Sequence, residues 1–157
     1  MSLELRAATY DSADAQLLTA EVQAEYVRRY GGEGDTAPVD TSEFDGPHGR
    51  FFMVYVDDAP AAMGGWRRHE PLAEWDDAEI KRMYVRPAFQ RRGLARLILA
   101  ELERTAVETG VTRLILETGL EQPEAIAMYR SAGYRDIPAF GYYAEAELSV
   151  HLGKVLI

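Results

Sequence analysis

The sequence predicts a mixed α/β fold in which one sheet of about seven strands is flanked by helices. Three observations lead there. Short runs rich in branched and aromatic residues alternate with longer runs of helical period, in the order strand, helix, three strands, helix, strand, helix, two strands. Gly, Pro and Asp mark the junctions between those runs. At 157 residues, 47% hydrophobic and 27% charged, the chain has the size and composition of one globular domain, expected to span residues 1–157.

Residues 3–8 read as a short opening strand. Asp11 or Ser12 then caps a helix that runs to about Tyr30 and is stopped by Gly31-Gly32. Residues 31–49 are rich in Gly, Asp, Pro, Ser and Thr and are expected to form a long loop with at most a short helical turn. Loops of this length are uncommon unless functional, so this one is a candidate lid or substrate wall. Residues 50–56 (RFFMVYV) and 61–67 (AAMGGWR) read as strands joined by a hairpin at Asp57-Asp58, close to Pro60.

Residues 80–85 form a further strand, ended by Arg86-Pro87. Leu94, Leu97, Ile98, Leu102 and Ala106 lie on one face of a helix closed by Gly110. Residues 113–117 (RLILE) read as a buried strand. Gln122-Pro123 opens the next helix, since proline suits the first helical position, and Gly133 ends it. Residues 134–137 and 148–156 are the last two strands, and the C-terminal one offers an edge for pairing in a homodimer.

Composition narrows the function classes. Seventeen Lys+Arg against 26 Asp+Glu leave a net charge of -9, which argues against general nucleic-acid binding. No apolar run is long enough for a membrane span. The N-terminus lacks the basic start and apolar stretch of a secretory signal, so a cytoplasmic location is expected. The absence of cysteine excludes disulfides, a thiolate nucleophile and the usual structural zinc sites. No metal site is expected, and His48, His69 and His151 read as surface or packing residues.

Against this acidic background, residues 79–100 (EIKRMYVRPAFQRRGLARLILA) stand out. They carry Lys81, Arg82, Arg86, Arg91, Arg92 and Arg96 and no acid after Glu79. The centre, Gln90-Arg91-Arg92-Gly93-Leu94-Ala95, lies between a strand and a helix. Exposed backbone N–H groups at a helix start favour a bound phosphate. Gly93 permits close backbone approach, and small Ala95 keeps the first turn clear. Arg91, Arg92 and Arg96 can add charge-assisted contacts.

These residues resemble the acetyl-CoA loop of the GNAT superfamily of N-acyltransferases, Gln/Arg-x-x-Gly-x-Gly/Ala. A second segment, running from Gln122 through Ala125, Tyr129 and Gly133 to Tyr134, resembles the family's Asn-x-x-Ala-x-x-Leu-Tyr-x-x-x-Gly-Phe/Tyr motif. Gln122 stands where the family usually has asparagine. Both motifs fall in the family's order, and the resemblance covers nearly the whole chain. It implies a mixed, mostly antiparallel, twisted sheet and an enzyme transferring an acetyl group from acetyl-CoA to an amine.

The resemblance also implies roles. Gln90, Arg91, Arg92, Gly93, Leu94, Ala95 and Arg96 would hold the CoA phosphates, with Gln122, Ala125 and Tyr129 as further contacts. A bulge at Met83, Tyr84 and Val85 would turn backbone N–H groups to the pantetheine arm and the thioester. Tyr129 matches the tyrosine that protonates the departing thiolate, a transfer suited to a phenol. Glu79 stands where some members place a general base, although the residues alone equally allow an exposed acid beside Asp76 and Asp77. Phe51, Phe52 and Trp66 read as core or pocket wall. With no cysteine and no Ser-His-Asp set, the expected route is direct attack in a ternary complex on a small-molecule primary amine. The alternatives are a protein lysine or N-terminal acceptor, or an acyl-CoA sensor without catalysis.

Overall fold

The computed structural model describes residues 2–70 and 75–156. Their strands form one sheet in the order β1-β2-β3-β4-β5-β7-β6. In chain order the strands are β1 (Leu3–Ala7), β2 (Gly49–Val56), β3 (Ala59–Arg68), β4 (Asp77–Val85), β5 (Arg113–Gly119), β6 (Arg135–Asp136) and β7 (Ser149–Val155). The helices are α1 (Ala13–Tyr30), α2 (Leu94–Glu108) and α3 (Pro123–Ser131). Neighbours in the sheet are antiparallel except for β4 and β5, so the expected mixed, mostly antiparallel sheet is present.

Local chemistry sets most boundaries where the sequence places them. The Ala15 N–H donates to the Ser12 hydroxyl at 3.3 Å to start α1, and Gly31, at φ 73°, ends it. Asp57 and Asp58 sit at φ 49° and 66°, the left-handed pair that a two-residue hairpin turn requires. The loop of residues 31–49 holds one short turn of 3-10 helix, Thr41–Phe44, capped by Asp40 and Glu43.

Two strands differ from expectation. β4 begins three residues early, because Asp77, 2% exposed, accepts from Arg113 Nε at 2.6 Å and Nη2 at 3.0 Å. This buried bidentate pair lets charged residues open a strand that apolar pattern alone misses. β6 spans only Arg135–Asp136, since the Tyr134 N–H donates to the Tyr129 carbonyl and so belongs to the end of α3.

The sheet has a core on each side. Phe52, Val54, Trp66, Ile80, Leu116 and Leu152 pack under α2 and α3, and the Trp66 indole N–H donates to the Thr105 hydroxyl at 3.0 Å. On the other side Phe51, Met53 and Met63 pack under α1 with Phe44. Alternating residues of β2 therefore feed opposite cores, as a period of two requires. Among the described residues no helix is long and apolar enough to cross a membrane.

Two irregularities shape the site. The parallel ladder of β4 and β5 runs from Asp77–Arg113 to Glu79–Ile115 and stops there. Beyond it β4 continues to Val85 and β5 to Gly119, unpaired with each other. The β3–β4 register also shifts: Met63 faces Tyr84 and Gly65 faces Lys81, so Gly64 alone opposes Arg82 and Met83. Arg82 sits at φ 60°, a left-handed conformation uncommon outside glycine. A bulge thus exists at Arg82-Met83, one of the features the resemblance implied.

Candidate active site

A cavity of about 1140 Å³ opens where β4 and β5 part, walled by α1, α3 and the start of α2. The predicted cofactor contacts border it, with the exception of Arg92. Glu79 does not border it. At its α2 end Gly93 is the N-cap at φ 77°, Arg91 lies at φ 65°, and no side chain caps the helix. The first intrahelical bond is Leu97 N–H to the Gly93 carbonyl, at 3.1 Å. The N–H groups of Leu94, Ala95 and Arg96 therefore have no helical acceptor and point to the cavity end. Free N–H groups at a helix start make a concavity suited to an anion. These residues fit the phosphates of a CoA-type molecule.

The basic window behaves differently from its bare charge count. Lys81 Nζ and Arg82 Nη1 both donate to Asp35, at 2.8 and 2.7 Å, and Arg86 pairs with Glu21 at 2.9 Å. Three of its six cations are thus neutralised inside the fold. The others gather at the loop: Arg91, Arg96 with Ser131, and Arg92 with its guanidinium 5.5 Å from the Phe89 ring centroid. The Gln122 amide, predicted to meet CoA, donates to the Tyr30 hydroxyl at 3.3 Å, which ties α3 to α1.

Tyr129 lies on α3, 4% exposed, its ring edge-on to Tyr134 at 5.6 Å. Among the described residues its hydroxyl has no hydrogen-bond partner. Burial, and then the neighbouring Tyr26, push its phenol above the ordinary value. The group therefore holds its proton. Tyr26, on α1, borders the same cavity and is pushed up the same way, first by burial and then by Asp35.

Asp35, in the loop of residues 31–49, is a knot that sequence reading missed. Besides Lys81 and Arg82 it accepts from the Tyr143 hydroxyl at 2.6 Å and the Ala37 N–H at 3.0 Å. Burial raises its carboxyl, but Lys81, Tyr143 and Arg82 outweigh burial and hold it well below the carboxylate range. Arg82 is locked on its other side by the Tyr10 hydroxyl at 2.8 Å. The left-handed residue of the bulge is thereby clamped by Asp35 and Tyr10. The same loop crosses to residues 142–143: the Thr36 N–H donates to the Tyr143 hydroxyl at 3.0 Å, and the Thr36 and Tyr142 hydroxyls are 3.1 Å apart.

A second cavity, of about 390 Å³, lies beyond this bridge and shares Lys81, Glu117 and Tyr143 with the first. Glu79 lines it, 9% exposed, with its Oε1 accepting from Arg67 Nη2 at 3.1 Å and Nε at 3.3 Å. Glu117 is the second residue that sequence reading missed. It closes the apolar run RLILE within β5, where an acid is out of place, and that was the available signal. Its Oε2 accepts from the Ser149 hydroxyl at 2.7 Å, and burial drives its carboxyl above the usual range. Opposite it on β7 is His151, 8% exposed with an unpartnered Nδ1; burial lowers its pKa.

A seven-stranded sheet splayed at one parallel pair, with an uncapped helix start at the opening, is the frame of the site. Residues 19–134 match the model of the acetyltransferase (GNAT) family, and the chain belongs to that family. Its members take the acyl group from acetyl-CoA. The chain is 38% identical over 78 residues to an IAA acetyltransferase of Azospirillum brasilense, covering 50% of this chain and 51% of that one. It is 39% identical over 61 residues to the [ribosomal protein bS18]-alanine N-acetyltransferase of Salmonella typhimurium, covering 39% and 41%. The chain thus spans about half or less of the length of these curated relatives. A crystal structure described as an acyl-CoA N-acyltransferase from Klebsiella pneumoniae shares the fold, with a TM-score of 0.78 and 24% identity over 99% of this chain and 98% of that one.

Proposed function

We propose that this protein acetylates a primary amine of a small molecule, with acetyl-CoA as co-substrate, by direct attack in a ternary complex. The observation that carries this reading is that Glu117 and Tyr129 border one cavity in complementary protonation environments. One is a half-buried carboxyl raised above its ordinary value, chiefly by desolvation; the other is a buried phenol that holds its proton.

The acceptor enters as an ammonium and gives a proton to the Glu117 carboxylate. Its nitrogen then bonds to the thioester carbonyl carbon, the C–S bond breaks, and Tyr129 protonates the sulfur. The nitrogen gives its second proton to the Tyr129 phenolate, which restores the phenol; the proton on Glu117 leaves to solvent, and the products are the acetamide and CoA. Bound acetyl-CoA supplies only the activated acyl group. Glu79, ion-paired to Arg67, is assigned to the acceptor side rather than to proton transfer. The bridge between residues 35–36 and 142–143 supports a small acceptor over a protein, because it crosses at Tyr143, which lines both cavities, and so narrows the space between them.

Thiol release from acetyl-CoA, measured across amine classes, tests the reading. Tyr129→Phe should lower kcat at least about tenfold with CoA affinity nearly unchanged, and Glu117→Gln should flatten the rise of kcat/KM with pH. Unaltered turnover in Tyr129→Phe would remove the phenol from the mechanism.

A further inference from the structure

We infer that the acceptor is a compact amine carrying a second positive group, a diamine or aminoalkyl-guanidine, rather than an amino acid or other carboxylate. This inference rests on the acetyl-transfer reading and names the substrate class of that site. The smaller cavity carries carboxylate oxygens with unused hydrogen-bonding capacity.

Each of its arginines and its lysine already has partners. Arg67 gives Nε and Nη2 to Glu79, and Nη1 to Glu43 and the Pro38 carbonyl. Arg68 donates to the Pro47 and Thr109 carbonyls. Lys81 donates to Asp35. An incoming carboxylate would meet cations already held by Asp35, Glu79 and Glu43 or by backbone carbonyls, with no cation reserved for it.

The carboxylates are not spent. Among the described residues Glu79 Oε2 and Glu117 Oε1 have no hydrogen-bond donor, whereas the other oxygen of each is engaged. Both residues line the cavity. They also share a sheet face. Glu79 is level with Ile115 in the parallel ladder, and Glu117 lies two residues beyond Ile115 on β5. Glu79 is one of the charges that raise the Glu117 carboxyl, after burial. A cation beside them removes that repulsion. Phe140, Tyr142 and Tyr143 supply aromatic surface for a methylene chain and for the face of a cation. The chain's net charge of -9 favours the approach of cations over anions.

The two ends of the acceptor then divide the work. The ammonium at Glu117, on the boundary with the larger cavity, loses its proton and attacks. The second group stays charged and bonds Glu79 Oε2. It takes no part in the bond changes, and the product remains a monocation.

The test is a steady-state comparison of 1,4-diaminobutane, 1-aminobutane and ornithine at fixed acetyl-CoA, monitored by thiol release. The diamine should exceed the monoamine in kcat/KM by about tenfold or more, the worth of one charge-assisted bond. Ornithine, which differs from it by one carboxylate, should fall below it by a similar factor. In Glu79→Gln the diamine-to-monoamine ratio should fall towards one. Equal values for diamine and monoamine, or preference for ornithine, would overturn the inference and leave acetyl transfer standing. A ratio unchanged in a folded Glu79→Gln variant would also overturn it. Absence of thiol release with any amine would defeat the acetyl-transfer reading instead, and the inference with it.

Discussion

Replacing Asp35 by Asn is the sharpest probe of how this site is built. Asp35 Oδ2 faces both Lys81 and Arg82, at 2.8 and 2.7 Å, and the side chains of the three residues are 10%, 9% and 5% exposed. An amide can keep Oδ1 for Tyr143 and Ala37, but its Nδ2 then points a donor at two cations. Removing one partner of a buried pair costs about 3–5 kcal/mol, far more than the pair is worth against an apolar substitute. For a domain of this size each kcal/mol shifts Tm by roughly 2–4 °C, so a fall of roughly 6–20 °C is expected. The assay is thermal unfolding by circular dichroism at pH 7 and again near pH 3.

The sign of the pH effect follows from the direction of the shift. The Asp35 carboxyl is held below its unfolded value of 3.8, so its stabilisation is complete above that pH and is lost as pH falls towards the folded value. The gap between wild type and Asp35→Asn should therefore be widest at neutral pH and shrink in acid. Asp136→Asn is the control. It breaks an exposed pair with Arg130, whose side chains are 71% and 46% exposed, and should leave Tm almost unchanged. If Asp35→Asn melted within a degree or two of wild type at pH 7, the clamp on the Arg82 bulge would not be a structural element.

Two further predictions follow from the same chemistry. Replacing Arg91 and Arg92 together by Ala should weaken CoA affinity at least about tenfold by calorimetry and flatten its salt dependence, because phosphate contacts are screened and buried ones are not. Equal affinity in both proteins would mean that the backbone nest alone holds the phosphates. Glu117→Gln should be more stable than wild type at neutral pH, because ionising a carboxyl whose folded pKa is raised costs the native state. That advantage should open as pH rises above the unfolded value of 4.5 and vanish below it, and a constant gain at all pH values would contradict the assignment.

Much of the fold is legible in the chain because its signals are local. Ser12, Gly31, Asp57-Asp58 and Pro123 act through their own φ/ψ preferences or through neighbours a few residues away. The anion loop is legible for the same reason, since Gly93 and the first turn of α2 are contiguous. The early start of β4 was hidden. Asp77 is a strand residue only because Arg113, 36 positions away, neutralises it.

The chemistry of the site divides along the same line. Tyr129 could be named because its motif is contiguous, although nothing local says that its phenol would be buried without a partner. Glu117 could not be assigned from RLILE, because the burial and the Glu79 charge that raise its carboxyl come from other strands. Asp35 was invisible in a loop of small polar residues, since its partners Lys81, Arg82 and Tyr143 are 46, 47 and 108 positions away.

The sequence by itself determined the order of elements, the place of the glycine-containing loop before α2 and the family to which the chain belongs. These are properties of short segments, encoded by neighbouring residues. Tertiary structure decided which of the window's six cations are neutralised inside the fold, that the Glu117 carboxyl is raised, and which side chains line the smaller cavity. Those are balances of desolvation and charge among residues far apart in the chain, and they take their values only when the sheet brings the residues together.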